Sequence, residues 1–298
     1  MADIKQLKIK IQSTKNIKKI TNAMEVISTI KLQKVKKKTE HLRDYMNGFL
    51  GMLSTIDNYI SLFPQTEKSS STRELVILVS SEKWLCGSLN TILFKQFHSQ
   101  YEDAKDSIDV FTIGKKAKDF CTRRGYTVIW SLLLTDNFDS DNLIDLNTLI
   151  DTSRKSSRYT TIRVRYNYFK NTMKQMPVWF QIFPLSTEWF REFMTSLDIS
   201  IPQQSTKALY DENNIKLEPN KETIVRKAYE VMMNVIVYGA VLHNKTGEFA
   251  ARMLAMKWAK DNATTIISDL TLAYNKARQD AITKEVLEIV SAKAVIED

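Results

Sequence analysis

NKETIVRKAYEVMMNVIVYGAVLHNKTGEFAARMLAMKWAKDNATTIISDLTLAYNKARQDAITKEVLEIVSAKAVIED, residues Asn220–Asp298, decides the fold. It holds no proline and two glycines, Gly239 and Gly247. Phe249, Met253, Met256, Ala263, Ile267, Leu270, Tyr274, Ala277 and Ala281 step mainly by three and four, an apolar stripe down one helical face. Asn220 supplies an N-cap oxygen and Glu222 a first-turn carboxylate. One straight helix of this length would span about 115 Å at 1.5 Å per residue. The alanines matter because small seam residues let a second helix come close.

That second helix is the opposite end of the chain. Residues 1–63 also lack proline, and Pro64 stops them before the polar linker Gln65–Thr72. Ile4, Leu7, Ile11 and Thr14 open a stripe there, with Asp3 placed to cap the start. The apolar residues then resume at Ile17, Ile20, Met24 and Ile27, and again at Leu42, Met46, Phe49, Leu53, Ile56 and Ile60. Followed through its apolar residues, this seam carries a short break in phase, which overwinds a supercoil locally. Either stripe alone would leave far more than a few hundred Å² of apolar surface in water. The expectation is therefore that the two ends wind antiparallel around each other.

Between them the period changes. Leu75–Val79 is an unbroken aliphatic run of the kind that forms a buried parallel strand. Leu89–Tyr101 and Lys115–Arg124 read as helices, alternating with strands at Asp109–Ile113 and Tyr126–Trp130. Leu143–Ser153 reads as a helix, and Tyr159–Lys170 and Val178–Phe183 as two strands joined by a short turn, an antiparallel addition to a largely parallel sheet. Pro202–Pro219 is a polar connection. The fold class is thus α/β plus long α: an antiparallel coiled coil with an inserted Rossmann-like α/β domain. Its expected parts are an N-terminal helix over 1–63, an α/β foot over 73–201 and a C-terminal helix over 220–298.

Charge is uneven. Of the net +9, most lies before Leu50, where Lys5, Lys8, Lys10, Lys15, Lys18, Lys19, Lys31, Lys34, Lys36, Lys37, Lys38 and Arg43 face only Asp3, Glu25, Glu40 and Asp44. A basic helix seeks an acidic partner. No segment has the length of uncharged apolar residues that a membrane span needs. There is no apolar signal core at the N-terminus, and two cysteines are too few for a disulfide scaffold, which points to a reducing cytoplasmic setting.

Catalytic material is sparse. His41, His98 and His243 each stand alone, Cys86 and Cys121 form no ligand cluster, and Gly87 and Gly114 lie in no phosphate-binding loop. These residues point to no cofactor, metal or small-molecule substrate. The run KLQKVKKK, Lys31–Lys38, admits a nucleic-acid reading but lacks interleaved aromatics, so a solvated helix face accounts for it better. Two rival readings fit these residues: a coiled-coil nucleic-acid-binding protein, and a small α/β enzyme with helical arms.

GEFAARMLAMKWAKDNATTIISDLTLAYNKARQDAITKEVLEIVSAKA, Gly247–Ala294, resembles the C-terminal helix of the gamma subunit of F-type ATP synthases. ITNAMEVISTIKLQK, Ile20–Lys34, resembles that family's first helix, and SSEKWLCGSLN, Ser80–Asn90, the motif after its first strand. The resemblance implies a non-catalytic rotor inside a ring of alpha and beta subunits, whose foot meets epsilon and a membrane ring of c subunits. It implies a peripheral position on the cytoplasmic face of the cell membrane. It assigns the contact with the beta catch loop to Arg278, Gln279 and Thr283, the acidic tip positions to Glu285 and Glu288, and the lever contact to Met24. Trp84, Leu85, Cys86 and Gly87 fall on the foot, on the epsilon and c-ring side. Glu82 and Trp84 stand where the family usually has aspartate and glycine, and a variant reading is a specialised gamma-like rotor whose foot meets a non-standard partner.

Overall fold

The computed structural model describes residues 2–53, 56, 73–135, 148, 150, 152, 158–184, 194–195 and 218–297. Two long helices bound it: α1 (Ala2–Leu53) and α4 (Lys221–Glu297). The Asn220 side chain caps α4, its Oδ1 accepting from the Thr223 N–H at 2.8 Å. α1 already includes Asp3, which therefore sits in the first turn and not at the cap.

Between the helices lie β1 (Glu74–Val79), α2 (Leu89–Tyr101), a 3₁₀ turn (Lys105–Ser107), β2 (Ile108–Ile113), α3 (Lys115–Arg124), β3 (Val128–Leu132), β4 (Thr161–Phe169) and β5 (Gln175–Phe183). The sheet order is β3-β2-β1-β4-β5. β1 to β4 pair in parallel, with Leu75 opposite Asp109 on one side and Ile162 on the other. β5 is antiparallel to β4, with Arg165 opposite Trp179. Of the helix expected over Leu143–Ser153, Thr148, Ile150 and Thr152 are described and have helical backbone. The linker Gln65–Thr72, the site of Pro64 and most of Pro202–Pro219 lie outside the described residues.

The chain divides into two compact units, Met1–Ile30 with Arg252–Asp298, and Lys31–Ala251. In the second, β1 feeds two cores by simple alternation. Leu75, Ile77 and Val79 pack with Met46, Leu50 and Leu53 of α1 and with Val225, Tyr229, Met232, Ile236 and Val237 of α4. Val76 and Leu78 pack with Leu93, Phe97, Ala117 and Phe120 of α2 and α3. Burying an aliphatic side chain contributes about 1.5–3 kcal/mol, so a strand buried on both faces belongs at the centre of the sheet. Lys31 lies over the Phe249 ring at 5.8 Å while Met46–Leu53 share a core with Val225–Val237, so within this unit α1 and α4 run in opposite directions.

The seam of α1 differs from the one its apolar residues suggest. Ile17, Ile20 and Ile27 are 51%, 57% and 53% exposed. The shielded positions instead include an unbroken series at 4, 7, 11, 14, 18, 21, 25, 28, 32, 35, 39, 42, 46, 49 and 53, alternating threes and fours, with others such as Met24 and Leu50 beside it. The heptad is continuous, and its middle is occupied by Lys18, Thr21, Glu25 and Ser28. Thr21 satisfies its hydroxyl within its own helix, on the Ile17 and Lys18 carbonyls at 3.1 and 3.0 Å, and so can face another helix at little cost. The α4 seam follows its apolar stripe, with Phe249, Met256 and Ala263 buried and Ile267, Leu270, Tyr274, Ala277 and Ala281 half-buried.

Candidate functional site

In the unit made of the chain ends, Arg278, Gln279, Thr283, Glu285 and Glu288 are all exposed on α4, flanking the half-buried Ala277 and Ala281. The packing of Ala277 and Ala281 at the seam turns their neighbours outward. Ile282, Val286, Leu287, Ile289 and Val290 are exposed as well, so this end of α4 offers apolar and charged side chains together. Met24 is half-buried, beside the seam residue Glu25. The Glu25 carboxylate meets Lys260 Nζ at 2.5 Å. From Lys260 to Arg278 is about 27 Å along α4 at 1.5 Å per residue. The structure therefore keeps the Met24 neighbourhood and the Arg278 neighbourhood as two separate places.

The second group lies on the loop Ser80–Ser88, at the carboxyl end of β1. Asn90, in the first turn of α2, organises it. Its Oδ1 accepts from the Ser81 N–H at 3.2 Å, and its Nδ2 donates to Ser81 Oγ at 2.6 Å and lies 3.5 Å from Cys86 Sγ. Glu82 Oε2 accepts from the N–H groups of Lys115 and Leu134, both at 3.1 Å, tying the loop to the start of α3 and to the segment after β3. A carboxylate at a helix N-terminus is well placed electrostatically. Cys86 is buried and Gly87 has φ +60°, while Trp84 and Leu85 are 66% and 53% exposed. Leu85 sits at φ +69°, a strained conformation for a branched side chain. Lys116 Nζ lies 3.6 Å above the Trp84 ring, a close cation–π contact. The motif reading put Trp84 to Gly87 on the contact side and gave no holding role to Glu82 and Asn90, which lie in the same motif, or to Lys116, all three of which hold the loop.

The loop lies beside α4 through the first residue of α2. A Cβ on Gly247 would meet Gln175 Cγ at 3.3 Å and Leu89 Cδ1 at 3.8 Å. Residues 241–250 of α4 are buried on every side, polar ones included. Asn244 Oδ1 accepts from the Asn167 side chain at 3.1 Å, Lys245 Nζ donates to the Thr135 carbonyl at 2.5 Å, and Thr246 Oγ1 to the Leu242 carbonyl at 2.8 Å.

The remaining reactive residues are placed structurally. His98 Nδ1 is 2.8 Å from the Tyr126 hydroxyl, and His243 stacks on Tyr168 with centroids 4.9 Å apart. Burial pushes the Cys121 thiol up to about 12. Within Lys31–Lys38, Lys31 lies over Phe249 and Lys36 over Phe169, so part of that run is committed to intramolecular contacts. Among the described residues no three His, Cys, Asp or Glu side chains gather as metal ligands, and no helix is long and apolar enough to cross a membrane.

Two long helices with an α/β domain inserted between them, and exposed side chains at the end of α4 and on the loop after β1, define the architectural class. Comparison with known proteins gives that class its family. The family described as ATP synthase matches residues 3–295. The ATP synthase gamma chain of Burkholderia lata is 33% identical over 305 residues, covering 99% of this chain and 100% of its own. That of Nitrosospira multiformis is 32% identical over 303 residues, with the same coverage of both chains. Among solved structures, a chain of the Euglena gracilis mitochondrial ATP synthase OSCP/F1/c-ring assembly matches with a TM-score of 0.67 at 19% identity, covering 99% of this chain and 95% of that one. A chain of the Tetrahymena thermophila mitochondrial ATP synthase central stalk and c-ring matches at 0.59 and 20%, covering 80% and 99%. The chain belongs to the ATP synthase gamma chain family. None of these matches favours the nucleic-acid-binding or free-standing-enzyme reading.

Proposed function

We propose that this chain is the central rotor stalk of an F-type ATP synthase, coupling rotation to ATP synthesis or hydrolysis at the beta subunits. The observation that carries the reading is the match along the whole chain, which includes both long helices and the exposed end of α4. The chain itself supplies no catalytic group; the complex is the enzyme. Its partners are the alpha and beta subunits of the hexamer, the epsilon subunit and the c-ring, and it works peripherally, at the cytoplasmic face of the membrane. The parts are read as 1–63 and 220–298 for the coiled coil and 73–201 for the α/β domain.

A pair of helices has no threefold symmetry, so it meets only one of three equivalent beta subunits in a given way at a time. Differential contact shifts each toward a different open or closed state, and turning the helices moves those biases around the ring. Arg278 and Gln279 donate to an acidic beta loop, with Thr283, Glu285 and Glu288 beside them, and Arg278 makes charge-assisted bonds there. Met24 meets the beta lever. Trp84 and Leu85, on the loop they share with Cys86 and Gly87, form the contact surface of the α/β domain on the epsilon and c-ring side.

Arg278→Ala with Gln279→Ala tests the first contact. Both side chains are exposed, so stability changes by less than about 0.5 kcal/mol, while ATPase rate and rotational torque in the complex fall. Unchanged turnover and torque would refute the assignment. A photo-crosslinker at Trp84 tests the second: capture of epsilon or c subunits supports it, and capture of beta alone moves this loop to the hexamer.

A further inference from the structure

The heptad of α1 places a charge, Glu25, at a seam position, and the heptad of α4 does the same with Lys260, four residues after Met256 and three before Ala263. Each is half-buried, with side chains 19% and 25% exposed, and they meet at 2.5 Å. Proximity to the Glu25 carboxylate raises the Lys260 ammonium above its ordinary value.

The neighbouring seam positions make this pair consequential. Among the described residues 4–30, the fully buried ones are Thr21 and Ser28, both small and polar. On α4, Ala263, three residues from Lys260, is buried as well. Thr14, Thr21 and Thr29 bond carbonyls of their own helix, Lys10, Ile17 and Glu25 in turn, so their hydroxyls do not hold the partner helix. Large knobs in holes normally fix the axial register of a coiled coil, and a slide by one turn moves every outward residue by about 5.4 Å. On α1 the seam positions from Thr21 to Ser28 carry no such knob, because Ile17, Ile20 and Ile27 point away, and Met256 on α4, one turn from Lys260, is the buried large side chain nearest the pair in sequence. A polar pair at core positions is the known alternative means of specifying register, at some cost in stability.

We infer that the Glu25–Lys260 pair fixes the axial register of the two helices, and so positions Met24 on α1 against the α4 residues that act on the hexamer. It is a positioning pair that touches no reacting group. The inference rests on the rotor reading. In the motor, torque applied to one helix must reach the other without slippage, and this pair transmits it.

The test uses the whole complex in sealed vesicles, comparing ATP-driven membrane potential with ATP hydrolysis. Lys260→Met and Glu25→Gln each remove the charge attraction at nearly constant size. Each is expected to lower the ratio of pumping to hydrolysis about 3- to 10-fold, the factor that 0.7–1.4 kcal/mol of register preference corresponds to at RT of about 0.59 kcal/mol. The swapped pair, Glu25→Lys with Lys260→Glu, is expected to return the ratio to within about 2-fold of the parent. An unchanged ratio in the single variants, or a swap no better than either, overturns the inference. If a single variant does not assemble, Lys260→Arg and the swap decide, since both keep the pair: a parental ratio in both supports it and a low ratio in either overturns it. Failure of the rotor reading looks different, because hydrolysis would then not depend on the chain at all.

Discussion

Replacing Gly114 with alanine is expected to destabilise the α/β domain far more than the same change at Gly125, although both glycines have positive φ. Gly114, at φ +93°, follows β2, and a Cβ there would lie 2.5 Å from the Ser80 carbonyl oxygen and 3.0 Å from its carbon and from Ser80 Oγ. Those are mainly backbone atoms and cannot simply swing aside. Ser80 is itself fastened, its N–H donating to the Ile113 carbonyl at 2.8 Å and its Oγ accepting from the buried Ala117 N–H at 2.7 Å. A left-handed conformation costs a non-glycine residue about 1–2 kcal/mol. Losing the Ser80–Ala117 bond adds about 1 kcal/mol, for a total of about 3 kcal/mol once the strands shift. At about 2–4 °C per kcal/mol for a domain of 150–250 residues, thermal unfolding is expected to fall by roughly 6–12 °C. Gly125, at φ +75°, closes α3 with its N–H on the Thr122 carbonyl at 3.3 Å, and a Cβ there meets nothing within 4 Å. Its alanine variant loses only the conformational term, about 2–8 °C. Thermal unfolding of the two variants side by side, followed by circular dichroism, is the assay. A Gly114→Ala shift no larger than that of Gly125→Ala would refute the close-approach argument.

Three further outcomes follow from the same interior. Asp109 is buried, accepting from the Tyr159 hydroxyl at 2.7 Å and paired with Arg158 at 3.1 Å and with Arg73. Asp109→Asn is expected to cost about 2–3 kcal/mol, at the lower end for a buried pair because both arginines reach solvent once released, and urea unfolding measures it. Although burial opposes ionisation, the hydroxyl and the two guanidiniums hold the Asp109 carboxyl below its ordinary value. Its contribution is therefore complete above an unfolded value of about 3.9 and declines as pH falls through the folded value, so the gap between parent and Asp109→Asn narrows on acidification below about pH 4. Cys86 and Cys121 are buried, and the Cys121 thiol is raised to about 12, so a thiol reagent at pH 8 is expected to label neither before denaturant is added. Prompt labelling of Cys121 in the native chain would contradict its burial.

The helices α2 and α3 were legible to the residue because glycine and loop residues bracket them and the apolar period is clear. β1 and β2 were legible because a run such as Leu75–Val79 has no other stable home. The seam of α1 was not, since periodicity follows where isoleucines stand, and Ile17, Ile20 and Ile27 stand on the outside. Only the partner helix reveals that Thr21, Glu25 and Ser28 continue the heptad. The segment Val241–Ala250 was equally opaque. Its His243, Asn244, Lys245 and Glu248 look like a wetted face, yet partners distant in sequence, such as Asn167 and Thr135, make their burial possible. At the loop after β1 the motif marked Trp84 to Gly87, while the bonds from Asn90 and Glu82 needed coordinates.

The outward row of Ile17, Ile20 and Ile27 bears on the life of the subunit before assembly. A copy released from the ribosome exposes greasy ridges that water does not tolerate for long, and other copies carry the same ridges. Expressed by itself the chain will therefore clump at modest concentration, and its yield will follow the supply of whatever subunits sheathe those isoleucines.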